Sequence, residues 1–302
     1  MKLKFLAILL LAVGFGMLAP IVNAEITAEF EDGGTAGVDT YPGIAGDGWR
    51  TGWDIDTTGT GTAAATLETS NPLYTGSNAY LSYSQADSSN NDGYSSGLSR
   101  RFYLTDLNDD YYISFSLRFD DITMWTDYQT EKTTSDYFYM SGTTDDNYNN
   151  DNTQTGWSVR MQGLKPDDSF LYGLQFKFLA GSTGTGSTTS EWSGFAIQED
   201  GVYEMVINVH ESDYTYEATV SEVGTTNSYT TTMPLNMISQ VTTSYIDFIT
   251  AMNSLGGEND FAYSIDNVRI ANTPPVEVPE PGTIALLVSL LLAAGIVRAA
   301  KK

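Results

Sequence analysis

Residues 111–119 read Y-Y-I-S-F-S-L-R-F, and that alternation constrains the fold more than any other stretch of the chain. A strand turns successive side chains to opposite faces, so Ile113, Phe115, Leu117 and Phe119 share one side, while Ser114, Ser116 and Arg118 share the other. The first side is predicted to meet a core and the second to meet solvent or floor a groove. The same texture runs from residue 25 to 270: short alternating apolar runs among Thr, Ser, Tyr, Gly, Asp and Asn, with no long amphipathic helix. β-Branched and aromatic side chains fit a pleated surface, so the region is predicted to be strands joined by loops. Residues 202–209 and 214–220 form a predicted hairpin. Tyr203, Met205, Ile207 and Val209 point inward there, Tyr214, Tyr216, Ala218 and Val220 answer them, and Glu211-Ser212-Asp213 makes the turn. Further strands are expected at 172–179, with Leu174, Phe176 and Phe178 on one face, and at 157–161 and 193–198. Segment 244–252 fits a helix through Val241, Tyr245, Phe248 and Met252, and a strand through Ile246, Phe248 and Met252. Its threonines and aromatics, and the strand that comes after it, favour the strand. Two polar stretches, 143–155 and 181–190, have no apolar face to bury and read as long loops.

The chain has no cysteine, which excludes disulfide staples, thiol chemistry and a lipid-attachment cysteine. The fold must be held by its own core, for which roughly 250 residues suffice. One histidine, His210, leaves no histidine-cluster metal site and little room for histidine-based catalysis; an ordinary half-buried strand position is expected for it. All 38 acidic residues lie between residues 25 and 280, against nine of the 14 basic ones, so this body carries a net charge of about −29. Such a charge disfavours nucleic acid and anionic lipid as partners and favours solubility and divalent cations.

The two ends differ from the middle. Lys2 and Lys4, an apolar run over 5–18 and the small residues before Ala24 read as a signal peptide, cleaved between Ala24 and Glu25. At the other end, Val278-Pro279-Glu280-Pro281 precedes an apolar helix over about 283–297, and Arg298, Lys301 and Lys302 come after it. Roughly 15 residues make a short span for a bilayer core about 30 Å thick, and basic residues behind a span stay cytoplasmic. This tail resembles the PEP-CTERM sorting signal of Gram-negative bacteria. The resemblance implies recognition and removal of the tail by a membrane protease-transpeptidase, an exosortase, and export to the cell surface or an exopolysaccharide matrix. The expected order is therefore signal peptide 1–24, ectodomain 25–271, Pro-rich linker 272–278 and sorting signal 279–302.

The strand density predicts an all-β fold, an antiparallel jelly-roll β-sandwich. A-E-F-E-D-G-G at 28–34 and Y-S-I-D-N-V-R-I at 263–270 make it resemble concanavalin-like and carbohydrate-binding-module sandwiches, whose first and last strands pair. That resemblance implies a structural calcium at Glu29, Glu31 and Asp266, since calcium takes six to eight oxygen ligands. The Asp145–Asp151 loop is also oxygen-rich but lacks the spacing of a calcium-binding hand. Trp49, Trp53 and Trp125 sit in Gly- or Asp-rich, loop-like surroundings and are the candidates for stacking on sugar rings, whereas Trp157 reads as core. The carboxylate series Glu211, Asp213, Glu217 departs by one residue from the strand-borne set of laminarinase-type hydrolases, and Arg100-Arg101 is the only adjacent basic pair within the ectodomain. The reading is a non-enzymatic exported protein associating with extracellular polysaccharide. The alternatives are a glycan-degrading hydrolase or lyase, or a ligand-free surface-layer component.

Overall fold

The computed structural model describes residues 25–28, 30, 49–50, 52–58, 61–73, 79–86, 94–103, 107, 109–122, 137–143, 155–163, 174–180, 189–235, 244–252 and 260–275. The signal segment, the sorting tail and both long polar loops apart from their end residues lie outside this set. Among the described residues no helix is long and apolar enough to cross a membrane.

The described residues form antiparallel strands in two sheets. One sheet holds β1 (Glu25–Ala28), β3 (Thr62–Glu68), β4 (Tyr80–Ala86), β6 (Asp110–Asp121), β11 (Val202–His210), β12 (Thr215–Glu222), β13 (Ser228–Pro234) and β15 (Phe261–Ala271). Its order is β13-β12-β11-β6-β15-β4-β3, with β1 also against β15. The other holds β2 (Asp54–Thr58), β5 (Tyr94–Arg101), β7 (Tyr137–Thr143), β8 (Thr155–Gly163), β9 (Leu174–Leu179), β10 (Ser190–Trp192) and β14 (Tyr245–Met252). Its order is β10-β9-β8-β7-β14-β5-β2. The all-β sandwich expected from the alternation is what the chain forms, and 245–252 is a strand.

The first and last strands pair as expected, from Glu25 opposite Ala271 to Ala28 opposite Val268. β15 manages two partners on that side by bulging between Asp266 and Arg269, where Asn267 is left-handed at φ 52°. Its first half pairs with β4 and its second with β1. The bulge re-aims the strand and lets it change neighbours without losing its ladder to β6.

β6 sits between β11 and β15, and its Ile113, Phe115, Leu117 and Phe119 are core. Of the two alternatives for its second face, solvent and groove floor, the solvent one fails. Ser114, Ser116 and Arg118 are buried as well, not solvent-facing. A buried guanidinium must be paired. Arg118 Nε donates to Asp120, Nη1 donates to the Asn71 carbonyl at 2.6 Å, and Ser264 donates to the other Asp120 oxygen. The predicted hairpin is β11–β12, with Tyr203 opposite Glu222 and His210 opposite Thr215. Tyr214 corrects the inward set: it closes the turn with φ 53° and is 39% exposed. Segment 193–198 is not a strand, because Gly194 at φ +77° breaks the extended path. It is tied to β9 through Ser193 N–H to Phe176 O, Ile197 N–H to Leu174 O and Gly194 N–H to Gln175 Oε1.

Tyrosine hydroxyls lace the two sheets together through the core. Tyr216 on β12 reaches the carbonyls of Leu179 at 2.6 Å and Ser158 at 3.0 Å on the opposite sheet. Tyr263 on β15 donates to Phe248 O at 3.2 Å, and Tyr83 on β4 meets Ser96 Oγ on β5. Such rings fill the layer while their polar tips satisfy groups that an apolar side chain would leave unpaired.

At one open side the edge strands are clasped. Glu191 on β10 accepts from Tyr229 at 2.7 Å and from Thr231 at 2.6 Å, both on β13 of the other sheet. These donors, Thr231 first, hold the Glu191 carboxyl below the ordinary glutamate range. A carboxylate depressed on folding contributes stability above its unfolded value and loses it as pH falls through the folded one. The melting temperature of Glu191→Gln should therefore lie below wild type at neutral pH, and the gap should close on acidification below about pH 4. A gap independent of pH would assign the clasp no ionic component.

Candidate functional site on the seven-stranded sheet

Phe138 and Met140 on β7, Trp157, Val159 and Met161 on β8, and Phe176 and Phe178 on β9 belong to the core. By alternation the residues between them face outward. These are Tyr137, Tyr139, Ser141 and Thr143, then Ser158, Arg160 and Gln162, then Gln175 and Lys177. Register brings them into rows: Tyr139 stands opposite Arg160, and Arg160 opposite Lys177. Lys177 is in turn opposite Trp192 on β10. Asp247 lies opposite Ser141 on the neighbouring β14.

This outer face carries cations stacked on rings. The Arg160 guanidinium carbon is 4.1 Å from the Tyr137 ring centroid, and Lys177 Nζ is 4.9 Å from that of Trp192. Nearer the other side of the sheet, Arg101 lies 5.2 Å from the Tyr245 ring. Each such contact is worth about 0.5–2 kcal/mol, more as water is excluded. Burial lowers the pKa of Arg160, and burial followed by Arg160 itself lowers that of Lys177. Tyr139 is pushed far above the usual tyrosine range by burial and then by Asp247, so its hydroxyl keeps its proton and acts as a donor rather than a base. Thr143 Oγ1 donates to Asp247 Oδ2 at 2.6 Å.

The predicted site residues fall elsewhere. Trp49 and Trp53 are buried, 2% and 6% exposed, and their rings are packed 6.2 Å apart. Trp49 Nε1 donates to Thr27 O at 2.7 Å, and Phe30 stacks on Trp53. Rings enclosed in this way have no face left for a sugar. The Gly-rich surroundings that read as loop instead deliver them into one end of the core. Trp125 lies outside the described residues. Trp157 is fully buried, as expected. Arg100 and Arg101 separate to opposite faces: Arg100 is buried 4.2 Å from the Trp49 ring, and only Arg101 reaches the outer face.

Of the calcium set, Glu29 and Glu31 lie outside the described residues. Asp266 is buried in the β15 bulge, where its Oδ1 accepts the Asn267 N–H at 2.7 Å. Among the described residues no three His, Asp or Glu side chains come together as a metal would need. His210 is half-buried at the end of β11, 3.5 Å from Asp110 and 2.9 Å from the Asn208 amide. Glu211 and Asp213 occupy the hairpin turn, while Glu217 is exposed on β12. Burial and Asp109 raise the Glu211 carboxyl. The rows across β7–β10 were missed because the polar residues of each strand are interleaved with core residues, and only pairing assembles them.

No family model matches this chain. No curated protein matches it either. Among solved structures, a GH131 β-glucanase catalytic domain from Podospora anserina is similar at 13% identity, covering 70% of this chain and 80% of that one, with a TM-score of 0.47. A protein of unknown function from Shewanella oneidensis MR-1 aligns at 10% identity over 83% of this chain and 88% of its own, also at 0.47. The lectin UEA-II complexed with galactose aligns at 11% identity over 72% and 92%, at 0.41. Similarity this low leaves function to be argued from the chain itself.

Proposed function

We propose that the protein is an exported, non-enzymatic surface or matrix component that holds extracellular polysaccharide on the outer face of its seven-stranded sheet. The observation that carries this is the set Tyr137, Arg160, Lys177, Trp192, in which two adjacent cations stand between two rings across β7–β10 on one face. A flat ring such as that of Trp192 covers the apolar face of a pyranose. Trp192 is half-buried on the edge strand β10, so part of its side chain remains accessible. The signal segment and the PEP-CTERM-like tail support export and handling by an exosortase at the inner membrane. Calcium, on this reading, screens the acidic body.

Binding of the exported chain to a panel of polysaccharides tests the reading. Trp192→Ala should raise Kd roughly thirtyfold, from the loss of about 2 kcal/mol of ring burial. Release of new reducing ends during incubation would instead assign a hydrolase. Failure to bind any glycan would remove the proposal.

A further inference from the structure

We infer that this face accepts an acidic sugar, its anionic group seated between Arg160 and Lys177. The inference rests on the proposed polysaccharide-binding function and adds the charge class of the ligand.

Arg160 and Lys177 stand directly opposite each other on β8 and β9, where like charges repel. Neither has a carboxylate within ion-pair distance among the described residues, although Arg118 is paired with Asp120 and Arg269 with Glu25. Carboxylates are not scarce in a chain with 38 of them. The next outward pair of the same ladder is Gln162 opposite Gln175, both buried, so amides stand where a single acid would neutralise the cations. The two positive groups thus stand together, half-buried and with no carboxylate partner among the described residues, on a protein whose long-range field is negative. An anion is what such a pair lacks.

The stacking geometry leaves room for it. A ring engages the face of a guanidinium, while the N–H donors lie in its plane. Arg160 Nε is buried and has no hydrogen-bond partner among the described residues. A carboxylate accepting from Arg160 in the plane and from the Lys177 ammonium would satisfy that donor and cancel the repulsion, through charge-assisted bonds. The sugar ring attached to it would then lie against Trp192, the neighbour of Lys177 on β10. A sulfate presents the same chemistry as a carboxylate. Because the body repels polyanions at a distance, recognition depends on these few local contacts.

The test measures binding of the full exported chain to polygalacturonate, a sulfated glucan and a neutral glucan at about 150 mM salt in EDTA, where the Debye length is about 8 Å. Polygalacturonate should bind more tightly than the neutral glucan. Lys177→Gln should weaken polygalacturonate at least tenfold and by a larger factor than it weakens the neutral glucan, and Lys177→Arg should restore most of the affinity. Lys177→Gln removes the repulsion from Arg160 together with the Lys177–Trp192 stacking, so its melting temperature should stay close to that of wild type. Sulfated glucan binding with the same loss in Lys177→Gln assigns the shared anion chemistry rather than a carboxylate alone. Polygalacturonate binding that is unaffected in Lys177→Gln and Arg160→Gln, or that appears only when calcium replaces EDTA, overturns the inference. Neutral glucan binding that depends on Trp192, without any preference for the acidic polymer, overturns the charge class and leaves the proposed function standing. No binding to any polymer removes both.

Discussion

Replacing Phe119 by alanine is expected to cost about 4 kcal/mol of stability, the largest single effect we predict for an apolar side chain here. Phe119 is fully buried on β6, the strand at the centre of the eight-stranded sheet. Its ring is 5.7 Å from Phe138 edge-on and 6.2 Å from Phe176, both on the opposing sheet. Tyr203 and Phe261, on the strands either side of β6, complete the cluster at 6.0 and 6.2 Å. Rings held from both sheets have no common direction in which to collapse, so the cavity persists and its cost adds to the lost transfer energy. A domain stable by about 5–15 kcal/mol would lose a large share of that margin. Its melting temperature should fall by about 8–16 °C. Urea unfolding gives the measurement: the midpoint should drop with an unchanged slope. A loss below about 1.5 kcal/mol would mean that the sheets close over the gap.

The second large effect comes from the backbone. Gly97 lies on β5 opposite Ile249 of β14. A Cβ there would stand 2.3 Å from the Phe248 carbonyl oxygen and 2.7 Å from the Ile249 Cα. Both are main-chain atoms of a strand that also pairs with β7, so neither can move without opening a ladder. Gly97→Ala should therefore destabilise by about 3 kcal/mol or more, although alanine suits strands no worse than glycine does. Hydrogen exchange should show the amides of β5 and β14 losing protection first. Wild-type stability in this variant would disprove the close approach of the two strands.

The cation pair shows why the site was harder to read than the fold. In the sequence Arg160 is one polar residue between Val159 and Met161, and Lys177 one between Phe176 and Phe178. Each looks like a solvated position on an alternating strand. Arg100-Arg101, adjacent in sequence, reads as the basic feature of the chain. Strand geometry reverses both impressions. Neighbours in sequence point to opposite faces, so Arg100 goes to the core rings and Arg101 to the outer sheet face. Residues 17 positions apart, on strands paired in register, meet. The tryptophans teach the same lesson, since glycine-rich flanks mark where the backbone turns but carry no information about which way a ring faces. Trp49 and Trp53 turn inward, and Trp192, in no distinctive context, stays half-open at an edge.

Period-two alternation is a local property, and the sequence by itself determined the features that alternation dictates: an all-β chain, the β11–β12 hairpin and the core face of β6. Composition likewise determined the acidity of the body and the absence of disulfides. Which residues share the second face of each sheet was decided only by tertiary structure. Pairing there brings into hydrogen-bond reach positions as far apart as Thr143 and Asp247, 104 residues along the chain. Such pairings are selected by the energy of the whole sandwich, through cross-strand contacts and buried polar groups that no single segment contains.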